Sequence, residues 1–291
     1  FAKADVEVAA VALAEDTNDR AATGLELYLA AAEGREKASL AETTLEDMAH
    51  FEYIMSERVR GGVSDMSDLN IIRQKLSEIR TAQTAGRETT RSAIAELNAM
   101  SVQPLQGVRG LTKLNVSSND AQPLKVTKAE AEKTRAIAAA KVDRVSQLPG
   151  VSLSGTIGEN SNIGVKAGGA QLGFGTGARL KAIELAKETA GRRVSQANED
   201  SNRALRKLES QIAAKTRQAS EATNLTAQAK NNLDLFQAQY KAGQRQVMDV
   251  VGVYETFSRA QESEVTLKYE AATLRVEMAR ILGVLADGDL I

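Results

Sequence analysis

Apolar side chains recur along most of this chain in alternating steps of three and four. Leu69, Ile72, Leu76, Ile79, Gln83, Gly86, Thr90, Ala93, Leu97 and Met100 form one series. Leu205, Leu208, Ile212, Lys215, Ala219, Ala222, Thr226, Ala229, Leu233, Phe236 and Tyr240 form a second. Val250, Val253, Phe257, Ala260, Glu264, Leu267, Ala271, Leu274, Met278, Ile281 and Leu285 form a third. Such a heptad series is the seam of a helix that lies lengthwise on another helix. The pattern predicts long helices over residues 1 to about 59, Met66 to Met100, about 178–240, and from beyond Gly243 to about Leu285. The helix over 178–240 would be about 95 Å long at ~1.5 Å per residue, so it needs lateral partners.

The chain divides accordingly. Residues 1–100 are predicted as one long helical hairpin with its tip near 60–66. Residues 101–125 hold Pro104, Pro123 and Ser117-Ser118-Asn119-Asp120 and read as an irregular connection. A helix follows over 126–147. A second hairpin spans 178–291, with its tip near 241–248.

Residues 148–177 have a different texture. Val151, Leu153, Gly155 and Ile157 alternate with Ser152, Ser154, Thr156 and Gly158. The alternation resumes with Ile163, Val165 and Ala167, and again with Ala170, Leu172 and Phe174. Period two with one apolar face is a half-buried strand. Two readings fit: strands of a transmembrane barrel with lipid-facing apolar positions, or a soluble hairpin packed on the helices.

The two halves share a register at an offset of 181 positions, which lays Gly243 on Gly62, Asp249 on Asp68, Val250 on Leu69 and Phe257 on Leu76. Glu264 falls on Gln83, the polar position of the first series. The ascending helices agree less well, since Leu233 falls on Glu52. This is an internal duplication of a helical hairpin. It places a counterpart of the β-hairpin upstream of Phe1, absent from this sequence.

Composition removes most chemistry. The chain has no Cys, so it has no disulfide, no thiolate metal site and no Cys nucleophile. Its one His, His50, excludes multi-His metal sites. Aromatics are 3%, with no Trp, so buried surfaces must use small and aliphatic side chains. The net charge of −1 argues against a nucleic-acid partner. No run of 18 apolar residues is present to span a membrane as a helix. Gly173-Phe174-Gly175-Thr176-Gly177 lacks both dinucleotide and Walker spacing. No cofactor is implied, and no convergent set of titratable groups points to an enzyme.

Long duplicated helical hairpins with a β-hairpin inserted after Leu148-Pro149 resemble the TolC family of outer-membrane channels. The stretch Gln239-Tyr240-Lys241-Ala242-Gly243-Gln244-Arg245-Gln246-Val247-Met248-Asp249-Val250 is similar to that family's periplasmic tip. Arg58-Val59-Arg60-Gly61-Gly62-Val63-Ser64-Asp65-Met66-Ser67-Asp68-Leu69 resembles the first-repeat tip, and Leu282-Gly283-Val284-Leu285 the end of the last helix. The resemblance implies a mainly α-helical homotrimer. Its long hairpins would form a periplasmic tube, and its strands, with Val151, Leu153, Ile157, Leu172 and Phe174 facing lipid, a shared outer-membrane β-barrel. Two strands from each of three protomers fall below the membrane-barrel minimum of about eight, and the upstream hairpin would bring the count to about twelve. The implied partners are a periplasmic adaptor and an inner-membrane ABC or RND transporter. The Gly-Gln-Arg form of the second tip looks most like members serving type I protein secretion, and multidrug efflux is the alternative. A soluble coiled-coil or filament subunit is the alternative of another class.

The resemblance also implies residue roles. Ser67, Asp68, Tyr240, Arg245 and Asp249 would form a periplasmic gate. Asp68 and Ser67 would meet Arg245 and Tyr240 across neighbouring hairpins, and Asp249 would join a threefold ring of carboxylates. Gly62, Val63, Ser64, Gly243, Gln244 and Arg245 would face the adaptor. Some members carry a second Asp where this chain has Gly252, so its ring is a weaker cation filter. From the residues alone, the two glycines need only be turn formers, and Asp68 and Asp249 need only favour a helix N-terminus by ~0.3–1 kcal/mol.

Overall fold

The computed structural model describes residues 1–111, 114–146, 151–156, 162–167 and 176–285. Along the chain these form α1 (Ala2–Arg60), α2 (Met66–Met100), α3 (Leu124–Ser146), β1 (Val151–Thr156), β2 (Asn162–Ala167), α4 (Thr176–Lys241) and α5 (Val247–Leu282). β1 and β2 pair antiparallel, with Val151 opposite Ala167 and Leu153 opposite Val165. Of the positions expected to face lipid, Val151 and Leu153 lie in β1, whereas Ile157, Leu172 and Phe174 lie outside the described residues. None of the described helices is long and apolar enough to cross a membrane.

The four long helices lie side by side in the order α2, α1, α5, α4. α2 buries a single stripe, Leu69, Ile72, Leu76, Gly86, Ala93 and Leu97. Met100, expected on that seam, is 48% exposed, because the helix ends there and the chain turns away at Ser101. The buried positions of α4 outside its first turns also follow one stripe, through Leu205, Leu208, Ala222 and Leu233. α5 buries two stripes. Val250, Phe257, Ala260, Ala271 and Met278 continue the heptad seam toward α4, while Val251, Tyr254, Val265, Tyr269, Ala272, Val276 and Ala279 form a second face. That second face meets α1, which is itself flanked on both sides and lined with small residues such as Ala22, Ala31, Ala32, Ala38 and Ala41.

Polar ties among the described residues fix the α1–α5 seam. Arg280 Nε meets Asp19 at 2.9 Å, the Tyr269 hydroxyl and Lys268 both reach Glu36 (2.9 and 3.0 Å), and the Tyr254 hydroxyl donates to Asp47. Burial, helped by the neighbouring carboxylates, pushes both tyrosine hydroxyls up, so they remain donors. Asn18, 1% exposed, donates to the Arg280 carbonyl at 2.8 Å and accepts from the Leu285 amide at 3.1 Å, so it closes the C-terminal end of α5.

Away from the tips, α3 docks against α1 and α4, aided by Lys128–Glu15 and Arg135–Asp5 pairs. The start of the connection after Ser101 is strapped to α1 at Val108–Gly110. Tyr28 donates to the Gly110 carbonyl and accepts from the Arg109 amide, both at 3.1 Å, and Arg35 donates to the Val108 carbonyl. The two seam positions with charged side chains are paired: Lys215 with Glu270 at 2.7 Å, and Glu264 with the Thr223 hydroxyl at 2.9 Å. His50 is exposed.

Both reversals use one backbone device. At the end of α1 the Val63 amide reaches the Arg58 carbonyl and the Gly62 amide the Val59 carbonyl, with φ +70° at Gly62. At the end of α4 the Gln244 amide reaches the Gln239 carbonyl and the Gly243 amide the Tyr240 carbonyl, with φ +73° at Gly243. These are Schellman caps at equivalent positions of the two repeats. Midway along the first hairpin, α1 and α2 cross closely enough that a Cβ on Gly86 would stand 2.7 Å from the Gly34 carbonyl oxygen. Thr90 pins the crossing by donating to the Ala31 and Gly86 carbonyls.

Four outcomes follow for thermal unfolding of the full-length protein followed by circular dichroism. Gly86→Val forces two backbones apart and costs about 1–3 kcal/mol, whereas Gly191→Ala, where an added Cβ meets nothing within 4 Å, raises the midpoint. Gly243→Ala puts a side chain at a left-handed position and costs about 1–2 kcal/mol. Gly252→Ala, nine residues on in a helical conformation with open space around it, stabilises by about 0.5–1 kcal/mol.

Candidate functional site at the paired tips

The α1–α5 seam brings the two reversals together. Met48, Phe51 and Met55 of α1 and Leu69, Ile72 and Leu76 of α2 share one apolar cluster with Leu233 of α4 and Val247, Val250, Val251, Tyr254 and Phe257 of α5. Tyr240 and Phe236 pack at its edge. Beyond this cluster lies an open hollow of about 900 Å³, lined by Arg58 from the first tip and by Tyr240, Lys241, Gly243, Gln244, Arg245, Gln246 and Asp249 from the second.

The loops share a backbone but not a side-chain arrangement. In the first, Arg58 on the helix donates through Nε to the Ser64 hydroxyl in the loop at 3.0 Å. In the second, the arginine sits in the loop: Arg245 donates through Nε to Gln239 Oε1 on the helix, also at 3.0 Å. Ser64 and Arg245 are repeat equivalents, as are Arg58 and Gln239, so donor and acceptor have exchanged places. The Arg245 guanidinium also lies over the Phe236 ring, 4.4 Å from its centre.

The first turns of α2 and α5 differ in the same way. Asp249 Oδ2 accepts the Gln246 amide at 3.1 Å, and the Gln246 side chain accepts the Asp249 amide, a reciprocal capping box. Asp65, at the equivalent N-cap, makes no side-chain cap. Asp68, equivalent to Asp249, is half-buried, and its carboxylate has no hydrogen-bond partner among the described residues. Two carboxylates repel each other where Gln246 and Asp249 are complementary.

The expected site residues therefore fall into two groups. Tyr240, Gly243, Gln244, Arg245 and Asp249 converge on the hollow. Gly62 and Val63 are exposed at the first tip, Ser64 is tied to Arg58, and Ser67 is exposed in the first turn of α2. Within the protomer Arg245 reaches Gln239 and Phe236 rather than Asp68 or Ser67. Arg58, Lys241, Phe236, Gln239 and Gln246 belong to the site but are not among the residues singled out from the sequence. The Gln246-x-x-Asp249 spacing and the repeat-related Arg58/Ser64 and Gln239/Arg245 pairs are the signals that would have found most of them.

No protein-family profile matches the sequence, and no curated protein sequence does. Three-dimensional comparison does find relatives. The Campylobacter jejuni CmeC outer membrane channel superposes with a TM-score of 0.75 at 14% identity, over 97% of this chain and 66% of that one. The outer membrane protein VceC of Vibrio cholerae gives 0.76 at 15% identity, over 96% and 74%. The Neisseria gonorrhoeae MtrE outer membrane channel, in its open state, gives 0.73 at 14%, over 96% and 70%. The chain thus spans about two thirds of the CmeC channel's length. Long paired hairpins, twin glycine-capped tips and these superpositions agree: the chain has the fold of the TolC family of outer-membrane channels.

Proposed function

We propose that this chain is the protomer of a homotrimeric exit duct in the bacterial outer membrane, working in a tripartite export system. Cargo would pass from an inner-membrane ABC or RND transporter, through a periplasmic adaptor, into the helical tube and out through a shared β-barrel to which β1 and β2 contribute. The duct would perform no covalent chemistry. One observation carries this reading: α1 and α5 each lie between two long helices, whereas among the long helices α2 has only α1 beside it and α4 only α5, and these two outer helices expose Met66, Ile71, Leu225 and Leu235. A layer of four helices with two open edges buries those edges when copies join side by side into a closed wall. The Gly243-Gln244-Arg245 form of the tip favours type I protein secretion, and multidrug efflux is the sister reading. The tips would meet the adaptor through Gly62, Val63, Ser64, Gly243, Gln244 and Arg245.

Gating follows from the two unlike tips. Asp68 lacks a partner within the described chain and Arg245 lacks a carboxylate, so an Arg245–Asp68 pair between neighbouring protomers, with Tyr240 beside it, would hold the end closed. Exposed pairs are worth ~0–1 kcal/mol each, and three copies sum to a few kcal/mol. A partner preferring the open tip by ~5.5 kcal/mol moves the equilibrium from mostly closed to mostly open.

In planar bilayers, Arg245→Ala combined with Tyr240→Ala should raise single-channel conductance of the full-length protein several-fold. Equal conductance in the double variant and the parent would remove the gate assignment. A protein that stays dispersed without detergent and forms no conducting pores would instead be the coiled-coil or filament subunit.

A further inference from the structure

We infer that the hollow between the two tips is a carboxylate clamp that receives an acidic side chain from a docking protein. The inference rests on the tips being the end of the molecule that meets a partner, and it specifies that partner's chemistry.

Arg58 and Arg245 are each held by the inner nitrogen of the guanidinium, Nε, which donates to Ser64 and Gln239 respectively at 3.0 Å. Phe236 supplies a flat seat under Arg245. An Nε bond together with an aromatic face fixes the plane of a guanidinium and leaves its terminal N–H fork free. Such a fork matches the two oxygens of a carboxylate. Among the described residues neither arginine has a carboxylate within 4.0 Å, although Arg60, two residues from Arg58, pairs with Glu57 at 3.0 Å. Lys241 adds a third positive charge on the rim. The one acid lining the hollow, Asp249, has Oδ2 engaged by the Gln246 amide. Within one protomer the hollow is thus an electropositive recess in which Arg58 and Arg245 are each anchored through Nε and lack a carboxylate, and Arg245 is available to a docking partner when the gate pair is open.

A phosphate headgroup has the same oxyanion chemistry, but the geometry disfavours it. The strand pair precedes α4, and the 66 residues of α4 carry the chain about 100 Å at ~1.5 Å per residue to the tip. A bilayer contacted through the strands is therefore far from the hollow. A protein that docks on the tips from outside the rod brings its own side chains there, and an Asp or Glu at the end of such a partner fits the fork.

The test uses full-length protein in detergent and fluorescein-labelled hexaglutamate, with binding followed by anisotropy at low salt. Arg58→Ala and Arg245→Ala should each weaken binding by about tenfold or more, the loss of one charge-assisted hydrogen-bonded pair. Arg58→Lys keeps the charge without the fork and should recover only part of it. Arg58→Gln, which keeps a donor for Ser64, serves if the alanine variant unfolds. Unaltered affinity in Arg58→Ala or Arg58→Gln overturns the clamp. So does full recovery by Arg58→Lys, which would mean unspecific attraction. Competition by inorganic phosphate at the same concentration as glutarate would also overturn it, in favour of a general oxyanion site. Pore formation separates this from the duct: a protein that forms conducting pores yet binds hexaglutamate independently of Arg58 would sink the clamp and keep the duct. Arginine-dependent binding by a protein that forms no pores would sink the duct and keep the clamp.

Discussion

A helix of sixty-six residues cannot bury itself by folding back; its apolar stripe is covered only by neighbours lying along its side. The seam between α1 and α5 answers this constraint, because among the described residues it is the main contact joining the two long hairpins along their length. Its apolar face is built from Val, Ala and Tyr against small α1 residues, and apolar contact of that kind fixes direction better than it fixes register. The ties at Asp19–Arg280, Glu36–Tyr269 and Asp47–Tyr254 supply the register, since a slide by one turn would break all three together. Where the tips stand relative to each other is set by that register. Everything at the far end, including the shared cluster beneath the hollow, inherits it.

The hairpin arrangement was legible because α2 and α4 each present one stripe, and one stripe produces a clean heptad. α5 was half legible. Its seam toward α4 could be read, but Val251, Tyr254, Val265, Tyr269, Ala272, Val276 and Ala279 lie one or two positions off that third series and have no place in its heptad. α1 was the least legible. A helix flanked on both sides has apolar residues around much of its circumference, and where it approaches α2 most closely it uses Gly34 and buried alanines rather than large side chains. That also explains why the two ascending helices align poorly: Leu233 in α4 serves one neighbour, while Glu52 in α1 is a half-buried partner of Arg73 on α2.

At the tips the positive-φ glycines and the acid six residues later could be read from the repeat. What side chains do there could not. Asp68 and Asp249 look interchangeable in sequence, yet one closes a capping box and the other does not. The difference lies three residues upstream, where Gln246 reciprocates and Asp65, a second carboxylate in the same turn as Asp68, does not. The arginines carry the same lesson: each is placed by a partner six residues away, a spacing set by the cap geometry and not by helix or strand periodicity.

The duplication therefore conserves backbone and diverges in charge. Two identical tips would present the same groups twice, and like charges would face each other wherever one repeat met the other. Here the first tip offers a carboxylate with no partner of its own, and the second offers an arginine with no carboxylate. Such a pair of surfaces is complementary across a contact between unlike repeats and repulsive or indifferent across a contact between like ones. The proposed side-by-side assembly through the α2 and α4 edges would bring unlike repeats together at each junction. In that assembly the divergence of the tips would select the same alternation of repeats that burial of the single-striped edge helices would require.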